Sequence, residues 1–199
     1  MVNETLRQEL LVMQAEDRRV REELLAANLL GGPYVPRMQE VHVKNAARLR
    51  ELIAEFGWPS EELAGPDGAE AAWLVAQHAV GEPDFMKQAL FLTRAASEKG
   101  ILPAWHSAFL EDRIALYENR PQRFGTQHID DARDGIARPW TLADPEHVNE
   151  LRASVGLKPL PSVAPPGPDL PKEQREENEA TQKWWQDWLS SCGWDTSQK

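Results

Sequence analysis

Several polar residues stand where helical spacing calls for apolar ones, and their types are those of acid–base chemistry. Asp17 falls four after Met13 and three before Val20, on the stripe that also carries Leu6, Leu10 and Leu24. Asn45 interrupts the run from Val41 to Leu49. His78 sits four after Leu74 and Gln77 four after Trp73, while Asp112 comes three after Phe109 and four before Leu116. Side chains three or four apart share one helix face, so each of these groups points with the apolar ones. A carboxylate or amide buried without a partner costs several kcal/mol, so each must find hydrogen bonds, and convergence satisfies them together.

An imidazole beside a carboxylate makes an oriented acid or base near neutral pH, the carboxylate fixing the tautomer. On this reading His78 is the acid/base and Asp112 orients it. Arg113 clamps an anionic group, and Gln77, Gln122, Gln127 and Asn45 position a polar or anionic small molecule or peptide. The segment "RPQRFGTQ", Arg120 to Gln127, is expected to turn back at Gly125, with Thr126 anchoring the turn through its hydroxyl and Gln127 directed toward His78. Each residue also has a plainer reading. Asp17 pairs with Arg21 one turn on, Asp112 serves an arginine or a helix N-terminus, Asn45 holds a backbone, His78 is a satisfied core histidine, and both glutamines pin the loop.

Other chemistries lack their residues. There is no Gly-x-Ser-x-Gly, no phosphate loop and no dinucleotide fingerprint. His78, His106 and His128 show no His-x-x-x-His or Glu-x-x-His spacing, so no metal and no cofactor is expected. The single cysteine, Cys192, excludes an intramolecular disulfide and fits a reducing compartment.

The elements that must position these groups read as helices. The first runs about 25 residues and is stopped by Gly31-Gly32-Pro33. The second carries Val41, Leu49, Leu52, Ile53 and Phe56 and ends at Gly57-Trp58-Pro59. A third follows a Gly-Pro-Asp-Gly turn, a fourth runs from Pro83 to Gly100, and a fifth begins at Pro103. Phe124 to Thr141 leaves room for irregular structure or a small hairpin, and "DPEHVNELRASVGL" is another short helix. The fold class is therefore all-α, an irregular helical bundle. It is divided into a helical domain at 1–157, a stiff proline-rich linker at 158–174 and a C-terminal Trp-rich helix at 175–199. Trp184, Trp185, Trp188 and Trp194 are too much apolar surface for a free tail, so this helix either braces its own domain or meets a protein partner.

Of the 199 residues, 22 are Lys or Arg and 32 Asp or Glu, a net charge of −10 that argues against nucleic acid and anionic membranes as partners. No basic leader followed by an apolar stretch opens the chain, and no run reaches membrane-spanning length, so a cytoplasmic protein is expected.

The stretches "PRMQEVHVKNAARLRELIAEFGWPS", "GAEAAWLVAQHAVGEPDF", "PAWHSAFLEDRIALYENRPQRFGTQ" and "DPEHVNELRASVGLKPL" resemble a bacterial family of domains of unknown function over roughly residues 5 to 160. The family's motifs are GWP, W-x-x-x-QH, DR and RPQ-[YF]-GTQ. The resemblance maps its characteristic positions to Asn45, Trp58, Trp73, Gln77, His78, Asp112, Arg113, Gln122, Gly125, Thr126 and Gln127, and implies no particular activity. Met86 departs from it, relatives having Gln there more often. The expectation is a small cofactor-free enzyme, its class (lyase, isomerase, cyclase or hydrolase) open. The alternative is a non-catalytic accessory protein that recognises a partner through the Trp-rich helix.

Overall fold

A computed structural model describes residues 1–30 and 34–197. Among these the elements run α1 (Glu4–Ala26), α2 (Pro36–Phe56), α3 (Glu61–His78), α4 (Pro83–Glu98), α5 (Ala104–Tyr117), β1 (His128–Asp130), β2 (Ala137–Pro139), α6 (Val148–Ser154) and α7 (Lys172–Ser191). The fold is predominantly helical, as the apolar periodicity requires. By its internal contacts the chain divides into Met1–His106 and Ser107–Lys199, the division falling inside α5.

In the first unit α1 lies against both α2 and α3. Its buried face is Leu6, Leu10, Met13, Asp17, Val20 and Leu24, so the carboxylate does sit on the apolar stripe. The Asn3 side chain caps the start by accepting from Leu6 N. Gly31-Gly32-Pro33, expected to stop this helix, lies outside the described residues; α1 already ends at Ala26. The buried face of α2 is Met38, Val41, His42, Asn45, Ala46, Leu49, Leu52 and Ile53.

α3 begins before the Gly-Pro-Asp-Gly stretch rather than after it, and breaks within it. Gly65 has φ 73° and ψ 164°, outside helical values, and Pro66 restarts the helix. A side chain at Gly65 would be strained by that φ and would meet Arg7 Cδ at 3.2 Å. Arg7 lies so close because its guanidinium forks onto Asp67, Nε to Oδ1 at 2.8 Å and Nη2 to Oδ2 at 2.6 Å. The break thereby aims the second half of α3, which ends on His78, along α1.

In the second unit Phe124 to Thr141 closes as an antiparallel hairpin, Ile129 opposite Arg138. The proline-rich segment is a strap rather than a free linker. Asp134, its side chain fully buried, takes both terminal nitrogens of Arg138 and the amides of Ile136 and Gly167. Arg138 also donates to the carbonyls of Ala164 and Pro165. The hydrogen bonds from Arg138 outweigh burial and hold Asp134 well below the usual carboxylate range. α7 starts at Lys172, inside the expected linker, and belongs to the second unit. Leu189 and Trp194 are buried, and Tyr117 meets the rings of Trp185 and Trp194 edge-on. Composition marks 158–174 as a stiff segment but does not say what it binds.

Candidate functional site

The first unit gathers a carboxylate and two imidazoles from three helices. Asp17 on α1 is 3% exposed, and both imidazoles address its Oδ2. His78 Nδ1, from the last turn of α3, stands 2.7 Å from that oxygen, and His42 Nε2, from α2, stands 3.0 Å from it. The two rings lie 5.0 Å apart, tilted by 38°. On the far side of His42, Nδ1 hydrogen-bonds the Tyr34 hydroxyl. A chain Tyr34–His42–Asp17–His78 results. Of its two imidazoles His78 is the more accessible, its side chain being 25% exposed and that of His42 10%.

Burial pushes the Asp17 carboxyl up, but the hydrogen bonds and charges of His42 and His78 overcome it and hold Asp17 well below the ordinary carboxylate value. A carboxylate that stays ionised can fix two imidazoles at once. Asn45, expected to bind substrate, stands beside this geometry. Its Nδ2 donates to the Met13 carbonyl at 3.2 Å, tying α2 to α1 one turn from both Asp17 and His42. Gln77 is buried beside His78 in the last turn of α3.

The carboxylate on His78 is thus Asp17 and not Asp112, which serves a loop. Asp112 is fully buried and accepts from the amides of Arg123 (2.7 Å), Phe124 (3.0 Å) and Thr126 (2.9 Å) and from the Thr126 hydroxyl (3.0 Å). Burial pushes its carboxyl up, and these donors oppose the shift. The "RPQRFGTQ" segment is built around that anchor. Gly125, at φ 65°, makes the turn, and a Cβ there would stand 3.1 Å from Leu160 Cδ1. Gln122 holds the loop with three bonds: Nε2 to the carbonyls of Gln127 and Trp140, and Oε1 from the Gln127 amide, each 2.9 Å. From outside, Arg152 donates to the Phe124 carbonyl at 2.6 Å. The Gln127 side chain bridges Thr126 Oγ1 at 3.0 Å and Arg113 Nε at 3.2 Å. Asp112 and Gln122 therefore pin the loop, while Arg113 and Gln127 are tied to each other by their side chains.

His42 and Tyr34 escaped sequence reasoning, although His42 lies one position from Val41 and three before Asn45 on the buried face of α2. Asp17 was visible but matched with Arg21, its neighbour in sequence. His128 sits exposed on β1, and His106 is buried against Trp73 and Trp105. The missing metal-binding spacings hid a different set. Asp17, His42 and His78 offer three ligand atoms all within 4.8 Å of one another.

These features define a helical domain that buries an Asp–His–His cluster between its first three helices. The chain belongs to DUF6624, a family of unknown function, whose model matches residues 4–164. No curated protein and no solved structure matches the chain. The family match ends within the proline strap, so α7 lies beyond it. Among the described residues no helix is long and apolar enough to cross a membrane.

Proposed function

We propose that the protein is a small enzyme whose acid–base group is His78, oriented by Asp17 and acting on a polar or anionic small molecule or peptide. The observation that carries this reading is the 2.7 Å contact between a buried, ionised carboxylate and the Nδ1 of a partly exposed imidazole. Held through Nδ1 and partly exposed, His78 has Nε2 left over as the nitrogen on which a proton can be taken from or returned to a substrate. His42 and Tyr34 position Asp17 from behind, and Asn45 fixes α2, which carries His42, to α1, which carries Asp17. Asp112 and Gln122 are structural in this reading, which replaces the pairing of His78 with Asp112. A cytoplasmic setting is part of the proposal and rests on the lone Cys192.

The alternative, a non-catalytic protein that recognises a partner through α7, has less support, because Leu189 and Trp194 are already buried within their own unit. A screen of the purified chain against phosphate esters, carboxylic esters, amides and hydroxy acids between about pH 6 and 8 tests the enzymatic reading, that being the range in which an imidazole exchanges protons. Turnover that His78→Gln and Asp17→Asn each lower by about 100-fold or more supports it. Turnover that survives in both variants removes it.

A further inference from the structure

We propose that Asp17, His42 and His78 form a binding site for one divalent transition-metal ion of the zinc type. The inference rests on the same cluster as the acid–base reading but not on that cluster being catalytic.

Three observations carry it. The first is the donor set. Two imidazole nitrogens and one carboxylate oxygen suit zinc and its neighbours, whereas calcium and magnesium take oxygen ligands. The second is spacing. Ligands about 2.0–2.1 Å from a tetrahedral ion stand about 3.3 Å from one another. The imidazole nitrogens lie 2.7 and 3.0 Å from Asp17 Oδ2 and all three ligand atoms fall within 4.8 Å, so the two short separations open slightly and the two nitrogens draw together as they turn onto one ion. The third is support and access. Tyr34 holds the other nitrogen of His42, the kind of outer partner that orients a metal-bound imidazole. Asn45 locks α1 to α2 beside the ligands, and the partial exposure of His78 provides a way in. With three protein ligands a tetrahedral ion keeps one position for water.

Proton placement must change for the ion to bind. An ionised carboxylate only accepts, so in the metal-free cluster a proton shared between an imidazole and Asp17 has to be carried by the nitrogen that faces the carboxylate. For a neutral ring, binding moves that proton to the opposite nitrogen, Nε2 of His78 and Nδ1 of His42, where the Tyr34 oxygen then accepts it. A ring that starts as imidazolium releases one proton to solvent. The ion and the proton therefore compete for the same atoms. A water on the open position would then supply acid–base chemistry in place of His78.

Zinc added alone to the full chain, after chelation and dialysis, provides the test. Calorimetry and elemental analysis are expected to find one ion per chain, and nitrogen-15 spectra of the imidazoles to show both rings switching tautomer. Asp17→Asn and His78→Ala, each checked for folding by circular dichroism, should weaken binding by about 100-fold or more, and Tyr34→Phe by about 10-fold. His147, exposed and 2.9 Å from Asp144, is the decoy, and His147→Ala should leave binding unchanged. Absence of stoichiometric binding overturns the proposal, as does binding that persists in Asp17→Asn and His78→Ala or disappears in His147→Ala. Zinc binding without turnover leaves this inference standing while the acid–base reading fails, and turnover by a chain that takes up no zinc does the reverse.

Discussion

Asp17 brings a charge into the helical interface and meets there the imidazoles of His42 and His78, whereas His106 is a histidine kept neutral. Its ring stacks on Trp73 at 5.1 Å, meets Trp105 edge-on at 4.0 Å, and has a buried Nδ1 with no hydrogen-bond partner among the described residues. Burial lowers its pKa from the ordinary 6.5 to about 4. The unfolded chain then binds the proton first as pH falls, so the stabilisation from a neutral His106 is complete above about pH 6.5 and is lost as pH drops toward 4. The loss amounts to at most about 3 kcal/mol, each pH unit between the two values being worth about 1.4 kcal/mol. Urea unfolding at pH 4, 5, 6 and 7 is expected to show this slope in the intact protein and a shallower one in His106→Phe. Equal slopes would place the acid sensitivity elsewhere. The backbone carbonyl of His106, which accepts from Trp73 Nε1, survives that substitution.

At the scale of elements, the loop after α5 separates residues that hold structure from residues that do not. Asp112 and Gln122 between them satisfy four backbone amides and two carbonyls of the turn and its flank, with the Thr126 hydroxyl in addition. Leaving buried amides unpaired costs about 1–3 kcal/mol each. Asp112→Ala should therefore lower the unfolding free energy by about 3 kcal/mol or more and Gln122→Ala by about 1–3 kcal/mol. Gln127→Ala, which removes only side-chain bonds to Thr126 and Arg113, should cost about 1 kcal/mol or less. Denaturant titration ranks the three. If Gln127→Ala proves as costly as Asp112→Ala, the carboxylate is not what organises the turn. Of the two glutamines around the Gly-Thr turn, Gln122 pins it and Gln127 links it to Arg113.

At the scale of the molecule, the second unit depends on its C-terminal segment from the strap onward. The Asp134–Arg138 pair grips the strap, Asn178 and Gln182 donate to the carbonyls of Ala132 and Asp130, and Trp185 and Trp194 cover Tyr117. Deleting residues 161–199 should expose that aromatic surface, raise the binding of an apolar dye and lower Tm by several degrees or more, because burying one large aromatic side chain contributes about 1.5–3 kcal/mol. A truncated protein that melts with the intact one would show that α7 does not brace its unit.

What the sequence by itself determined was periodic or local. The helices, the left-handed turn at Gly125, the Thr126 anchor and the presence of polar groups on buried faces all follow from spacing and residue type, which the chain states directly. The identity of each partner was a tertiary decision. Asp17 and Arg21 are one turn apart, yet Asp17 belongs to His42 and His78, 25 and 61 positions away. A buried charge takes whatever complement the packed helices bring to it. Asp112 likewise looked like a companion for an imidazole and proved to be the acceptor for a turn 11 to 14 residues downstream. Three ligand atoms from three helices have no spacing signature, since their convergence is set by how α2 and α3 lie against α1 and not by any interval along the chain.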